Sequence, residues 1–184
     1  IVCLLILLSH FTVAQKQTKG VLQRIKCVAD SSQQYALYLP SGYSSERKYP
    51  VIIFLDPAAR GAFPVEKYQL VADEYGVVMA GSFNSKNFDP ASSFESFVTL
   101  YNDLKQNYAI NTALVWVAGF SGGARAASAI ALAYPQVSGV IACGAGFAGI
   151  QDISPENLKA YAAIVGNTDM NFGELLEDHD YLER

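Results

Sequence analysis

The sequence has no CxxC pair, no HExxH segment and no cluster of cysteine with histidine, so neither a structural nor a catalytic metal is expected. It also lacks a G-x-G-x-x-G fingerprint after an early strand and a Gly-Lys-Ser/Thr phosphate loop, so no cofactor is expected. Lysine and arginine are scattered, and the formal net charge is -4. With no basic stripe to steer it onto a phosphate backbone, nucleic acid is not an expected partner. No apolar run approaches the ~20 residues of a membrane span. There is no internal repeat and no low-complexity linker, which leaves one domain as the reading. Histidine is the scarcest chemically useful residue, present only as His10 and His179.

What is present begins with an apolar run, Ile1 to Leu8, followed by Ser9-His10-Phe11 and the small-residue stretch Thr12-Val13-Ala14-Gln15. This reads as a secretory signal over residues 1–14, entered partway because no Met or positive charge precedes it. The mature domain is then 15–184, and the expected location is secreted or periplasmic. Two cysteines remain in that part, Cys27 and Cys143, and nothing in the sequence brings their backbones together. Each reads as a small buried hydrophobe.

Beyond residue 20, strand-like and helical patterns follow one another. Residues 21–28 and 35–39 read as an antiparallel pair, and 50–55 as a strand covered on both faces. A helix is expected over 64–75, stopped by Gly76, and a strand over 77–80. Ser93 to Tyr108 places Phe94, Phe97, Val98, Tyr101, Leu104 and Tyr108 on one helical face. A strand over 114–118, an Ala-rich helix over 124–134, strands over 138–143 and 160–165 and a helix from about Asn171 complete the series. Such alternation predicts an α/β fold with a mostly parallel central sheet flanked by helices.

Between the strand ending at Ala118 and the Ala-rich helix lies Gly119-Phe120-Ser121-Gly122-Gly123. A G-x-S-x-G segment between strand and helix marks a nucleophile elbow, where small residues two before and two after the serine avoid steric conflict. Ser121 is therefore the candidate nucleophile. The helix start aims free N–H groups and a positive dipole end at its oxygen, and Gly122 N–H is the expected oxyanion donor. A second donor should come from the Asp56–Gly61 loop. Pro57 has no N–H, so Ala58 is the candidate, with Ala59 next. Asp56 and Arg60 either pair across that loop or remain solvated charges.

Asp169, just past the 160–165 strand, is the candidate acid that would orient a base, and it is also placed to cap the helix that follows. Asp152 and Asp89 are weaker candidates, since neither directly follows a strong strand. The base has no counterpart. His10 falls in the signal and His179 in a charged helical run, where a solvated surface role is the simpler reading.

The segments Asp56 to Gly61, Gly81 to Asn87, Ala118 to Arg125, Cys143 to Phe147 and Gly166 to Asn171 together resemble exported bacterial α/β-hydrolases of the esterase/polyhydroxybutyrate-depolymerase-like type. The resemblance runs from about Tyr35 to the end. It implies an α/β-hydrolase fold, with Ser121 and Asp169 in the order serine then acid. It also implies a histidine after one further strand, which places the base beyond Arg184. The histidine-glycine pair usual at the oxyanion strand end is replaced by Asp56-Pro57. The expected activity is hydrolysis of a small-molecule or polymer ester through an acyl-enzyme, with peptidase or thioesterase chemistry as variants. The alternative is a non-catalytic extracellular binding protein on the same scaffold, with Phe63, Phe83, Phe88 and Phe120 near its cleft. The 184-residue chain by itself is expected to be weak or inert.

Overall fold

A computed structural model describes residues 18–147 and 159–183. The signal reading, His10 and Asp152 lie outside them. Among the described residues, seven strands form one sheet: β1 (Gln23–Lys26), β2 (Gln34–Tyr38), β3 (Tyr49–Leu55), β4 (Val78–Ser82), β5 (Ile110–Phe120), β6 (Val137–Cys143) and β7 (Tyr161–Ile164). The helices described beside them are α1 (Ala62–Lys67), α2 (Gln69–Tyr75), α3 (Pro90–Asn107), α4 (Gly122–Ala133) and α5 (Phe172–Leu182). The strand order is β1-β2-β4-β3-β5-β6-β7. β2 runs antiparallel to both its neighbours, and every pairing from β4 to β7 is parallel. The α/β fold and its mostly parallel sheet stand as the alternating pattern implied.

Alternate residues of the central strands face opposite layers. Val51, Ile53, Leu55, Val115 and Val117 pack with Phe97, Leu100 and Leu104 of α3 and Ala124, Ala127 and Ile130 of α4. Phe54 and Ala118 face the other way, into a smaller cluster with Val65 of α1 and Ala72 of α2. α4 is rich in alanine because it lies close against the sheet, where a longer side chain would overfill the space.

Two boundaries differ from expectation for local reasons. The helix expected over 64–75 is two helices, interrupted at Tyr68, whose φ of -110° and ψ of 17° leave the helical region. Tyr68 stacks on Phe54 of the sheet at 6.1 Å, a contact no helical period encodes. α3 starts three residues before Ser93, because Asp89 caps it by accepting from Ser92 N–H at 3.0 Å and Pro90 occupies the first turn. Asp89, one of the weaker acid candidates, is thus occupied as a helix cap.

The winding reverses at β3. The chain passes from β3 outward to β4, then crosses back to place β5 on the other side of β3. In open parallel sheets a crevice forms outside the carboxyl ends of strands at such a reversal. Asp56 follows β3 and Ser121 follows β5, so both stand at that point.

Candidate active site

Ser121 has φ 51° and ψ -121°, a conformation that side-chain-bearing residues rarely adopt. It is held there from both sides. Its N–H donates to Cys143 O at the end of β6 (2.8 Å), and its carbonyl accepts from Ala124 N–H (2.9 Å) and Arg125 N–H (3.2 Å) of α4. The turn is tight enough that a Cβ on Gly119 would overlap the Gly123 carbonyl group, and one on Gly123 would overlap the Leu55 carbonyl of β3. The small residues demanded by the motif are demanded here by backbone, which cannot yield.

Gly122 opens α4, where the first N–H groups have no carbonyl partner within the helix. The Asn87 carboxamide, on the loop after β4, lies against Gly122 with its Oδ1 nearest. Asn87 N–H donates to Pro57 O at 2.9 Å, and Ala58 bridges Lys86, so the loops after β3 and β4 are tied together beside the serine. The Asn87 contact was not expected from the sequence, where the residue falls in the Gly81–Asn87 segment but is given no role.

The loop after β3 is closed on itself. Asp56 is 4% exposed, and its Oδ1 accepts from Ala58 N–H (2.8 Å), Arg60 N–H (3.3 Å) and Arg60 Nε (3.0 Å), while Oδ2 pairs with Arg60 Nη2 at 3.0 Å. Burial alone would raise the Asp56 carboxyl, but the Arg60 guanidinium and the two amides outweigh it and hold the group below the usual carboxylate range. Pairing of Asp56 with Arg60, one of two readings left open by the sequence, is therefore the one observed. It has a consequence for Ala58. The N–H expected to face the oxyanion is bonded to Asp56, and Ala59 N–H is bonded to Asp56 O at 3.1 Å.

Asp169 lies past β7 in the turn before α5. Its Oδ1 accepts from Asn171 N–H at 2.9 Å, and its Oδ2 lies 3.7 Å from where a Cβ of Gly144 would stand. The Phe120 ring flanks the same point at 3.1 Å. The Asp169 carboxylate and the residue preceding Ser121 therefore share one corner of the sheet's carboxyl edge. The cap of α5 is Asn171, not Asp169.

His179 is exposed on α5, with Nδ1 3.5 Å from its neighbour Asp180. It is the only histidine among the described residues, and it takes no part in this corner. Neither thiol offers a substitute nucleophile. Burial, reinforced by Asp103 and Asp30, pushes Cys27 up to about 12, and burial raises Cys143 above its ordinary value. Both are free cysteines. No group of three or more His, Cys, Asp or Glu able to hold a metal occurs among the described residues.

On the α1–α2 face, a largely apolar cavity of about 640 Å³ runs under Gly119 and Phe120. Ile52, Phe54, Ala118 and Ile141 form its floor, and Arg60, Phe63 and Lys67 contribute to its wall. No helix among the described residues is long and apolar enough to cross a membrane.

This sheet order, with a strained serine between β5 and α4, defines an α/β-hydrolase fold. Solved structures with the same architecture include a fluorophosphonate-binding serine hydrolase F from Staphylococcus aureus, at TM-score 0.70 and 14% identity over 91% of this chain and 87% of that one. An S-formylglutathione hydrolase from Staphylococcus aureus matches at TM-score 0.69 and 12% identity, over 89% and 83%. A dipeptidyl-aminopeptidase-IV-type chain from Bacteroides ovatus matches at 0.67 and 15%, over 89% of this chain but only 30% of its own length. At such identities these likenesses establish the fold. No protein-family profile matches the sequence, and no curated protein matches it either.

Proposed function

We propose that the protein is a serine hydrolase cleaving carboxylic esters through an acyl-enzyme on Ser121. The observation that carries this reading is the backbone of Ser121: φ 51° at the junction of a buried strand and a helix, with backbone packed against both flanking glycines. A fold keeps a strained residue where position matters more than local energy. Here the position puts a hydroxyl at the N-terminus of α4, where helix N–H groups and dipole favour a developing anion.

In the proposed reaction Ser121 Oγ attacks the ester carbonyl and gives up its proton to a base. The carbonyl oxygen becomes an oxyanion that accepts from Gly122 N–H. Collapse of the tetrahedral intermediate expels the alcohol, which takes the proton from the base. Water, giving a proton to the same base, then attacks the acyl-enzyme, and the bond to Ser121 Oγ breaks as that oxygen takes the proton back from the base and the acid is released. We assign Asp169 the role of orienting that base. Ala58 N–H joins Gly122 as a donor only in a conformer where it has left Asp56. Esters are preferred to amides because of the resemblance read in the sequence, and the esterases and serine hydrolases among the structural neighbours agree with it. We also infer that the protein is exported.

The test is labelling of the full-length protein with a fluorophosphonate probe, which bonds an activated serine. We expect one label per chain, mapped to Ser121 and abolished by Ser121→Ala. Absent labelling would leave the binding-protein reading in its place, and labelling unchanged in that variant would overturn the assignment of Ser121.

A further inference from the structure

Asp169 sits on the turn after β7, and the serine it would serve lies at the end of β5, two strands away in the sheet. β7 is four residues long and pairs with β6 before that turn. Another device fixes it. Asn171 donates its backbone N–H to Asp169 Oδ1 at 2.9 Å. Its side-chain Nδ2 donates to Gly144 O, just past the end of β6, at 2.7 Å. Its side-chain Oδ1 accepts from Arg125 Nη2 at 3.3 Å.

Arg125 stands on the first turn of α4, and its own N–H donates to Ser121 O. Its Nη2 also donates to Glu174 Oε2 at 2.6 Å, and Glu174 Oε1 accepts from Gly146 N–H at 3.0 Å. The Arg125–Glu174 pair is partly buried, at 35% and 24% side-chain exposure, so water screens it less than a surface pair. One residue therefore touches the Asp169 carboxylate through its backbone. Through its side chain it touches the strand end whose carbonyl holds Ser121 and the helix that starts at Ser121.

A second observation shows that this arrangement is more than a helix start. Asn171 is the cap of α5, and an asparagine there ordinarily turns its oxygen onto the N–H groups of its own helix. It makes no such bond. The side chain forgoes the local cap for two contacts that lie 27 and 46 residues away in sequence. A carboxamide suits the place because it donates on one side and accepts on the other, which neither aspartate nor an apolar residue of that size can do.

We propose that Asn171, braced by Arg125, is a positioning residue that sets the Asp169 carboxylate in register with Ser121. The proposal rests on the reading of Ser121 and Asp169 given above. The experiment is hydrolysis of p-nitrophenyl acetate by the full-length protein, with Asn171→Ala, Arg125→Met and Arg125→Lys each made alone and in an Asp169→Asn background. Acting through Asp169, Asn171→Ala lowers kcat 10- to 100-fold with KM within about twofold, as misplacement of a reacting group by about 1 Å does. In the Asp169→Asn background the same change costs nothing further. Arg125→Met shows the same dependence, and Arg125→Lys, which keeps a donor, recovers part of the loss. Should Asn171→Ala unfold the protein, the Arg125 variants decide. An unchanged kcat, or an equal loss with and without Asp169, overturns the proposal. Failure of the underlying reading is recognised separately, by turnover that survives Ser121→Ala.

Discussion

Three glycines around Ser121 differ in what a methyl group would meet. At Gly119 and Gly123 it would overlap backbone of the elbow and of β3, which cannot move without displacing the sheet. At Gly122 it would meet the end of the exposed Asn87 side chain, which can rotate away. Gly119→Ala is therefore expected to destabilise by about 3 kcal/mol or more, and Gly122→Ala by under about 1.5 kcal/mol, within the range for overpacked and relaxable sites. Urea unfolding followed by fluorescence from Trp116 checks the order. Equal midpoints for the two variants would mean that the elbow is looser than its geometry states.

At the scale of elements, α3 is fixed to the β1–β2 hairpin by one buried carboxylate. Asp103, 4% exposed, accepts from Tyr35 Oη at 2.6 Å and from Val28 N–H at 2.8 Å. Tyr35 is wholly buried, and burial, with Tyr108 and Asp103 nearby, raises its phenol far above its ordinary value, so it remains a donor at all working pH. Asp103→Ala would leave a buried hydroxyl and a backbone N–H unsatisfied, a loss of about 3 kcal/mol. Asp103→Asn keeps a single acceptor oxygen and should lose about half of that. The comparison is read from the shift of the urea midpoint at constant m-value. A loss in Asp103→Ala no larger than in an exposed acid such as Glu95 would show that the contact does not hold α3 in place.

The helix boundaries belong to the same scale. Gly76 ends α2, as its sequence position predicted, and does so in the left-handed conformation, because a glycine stop is a local property. The break at Tyr68 was not legible, because the ring turns toward Phe54, a residue on a strand 14 positions earlier. The expected strands were placed within a few residues throughout. β5 alone is much longer than expected: Ile110 pairs with Tyr49, and Asn111, Thr112 and Ala113, polar or small residues, span the register shift before pairing with β3 resumes at Val115.

For the molecule as a whole, stability against pH carries two opposed carboxylates. The Asp56 carboxyl is held below its ordinary value of 3.8, so it contributes stability that is present above that value and lost as pH falls through the lower folded one. Asp178 is the reverse. Burial is the main cause that raises it, with Glu174 and Glu177 adding to the effect against the Phe147 N–H that it accepts at 2.9 Å. A raised carboxyl penalises the folded state above its folded pKa, and the penalty fades as pH falls toward 3.8. Asp56→Asn should thus lower Tm at pH 7 and match the parent in strong acid. Asp178→Asn, which keeps an acceptor for Phe147, should raise Tm at pH 7 by a few degrees and lose its advantage below about pH 4. Thermal scans from pH 3 to 8 test both signs, and a parallel response of the two variants would contradict them.

Sequence by itself determined the features that depend on neighbours in the chain. The alternation of strand and helix specified the layered α/β fold, and five consecutive residues specified the elbow, since its steric demands fall on positions 119 and 123 about Ser121. Tertiary structure decided what depends on which distant groups arrive together. It showed Ala58 N–H drawn to Asp56, Asn87 lying against Gly122, and Asn171 turned from its own helix toward Gly144 and Arg125. A hydrogen bond forms within about 3 Å, and the register between elements that brings its partners to that distance comes from the packing of the whole core. The residues were all visible in the chain, but their partners were not.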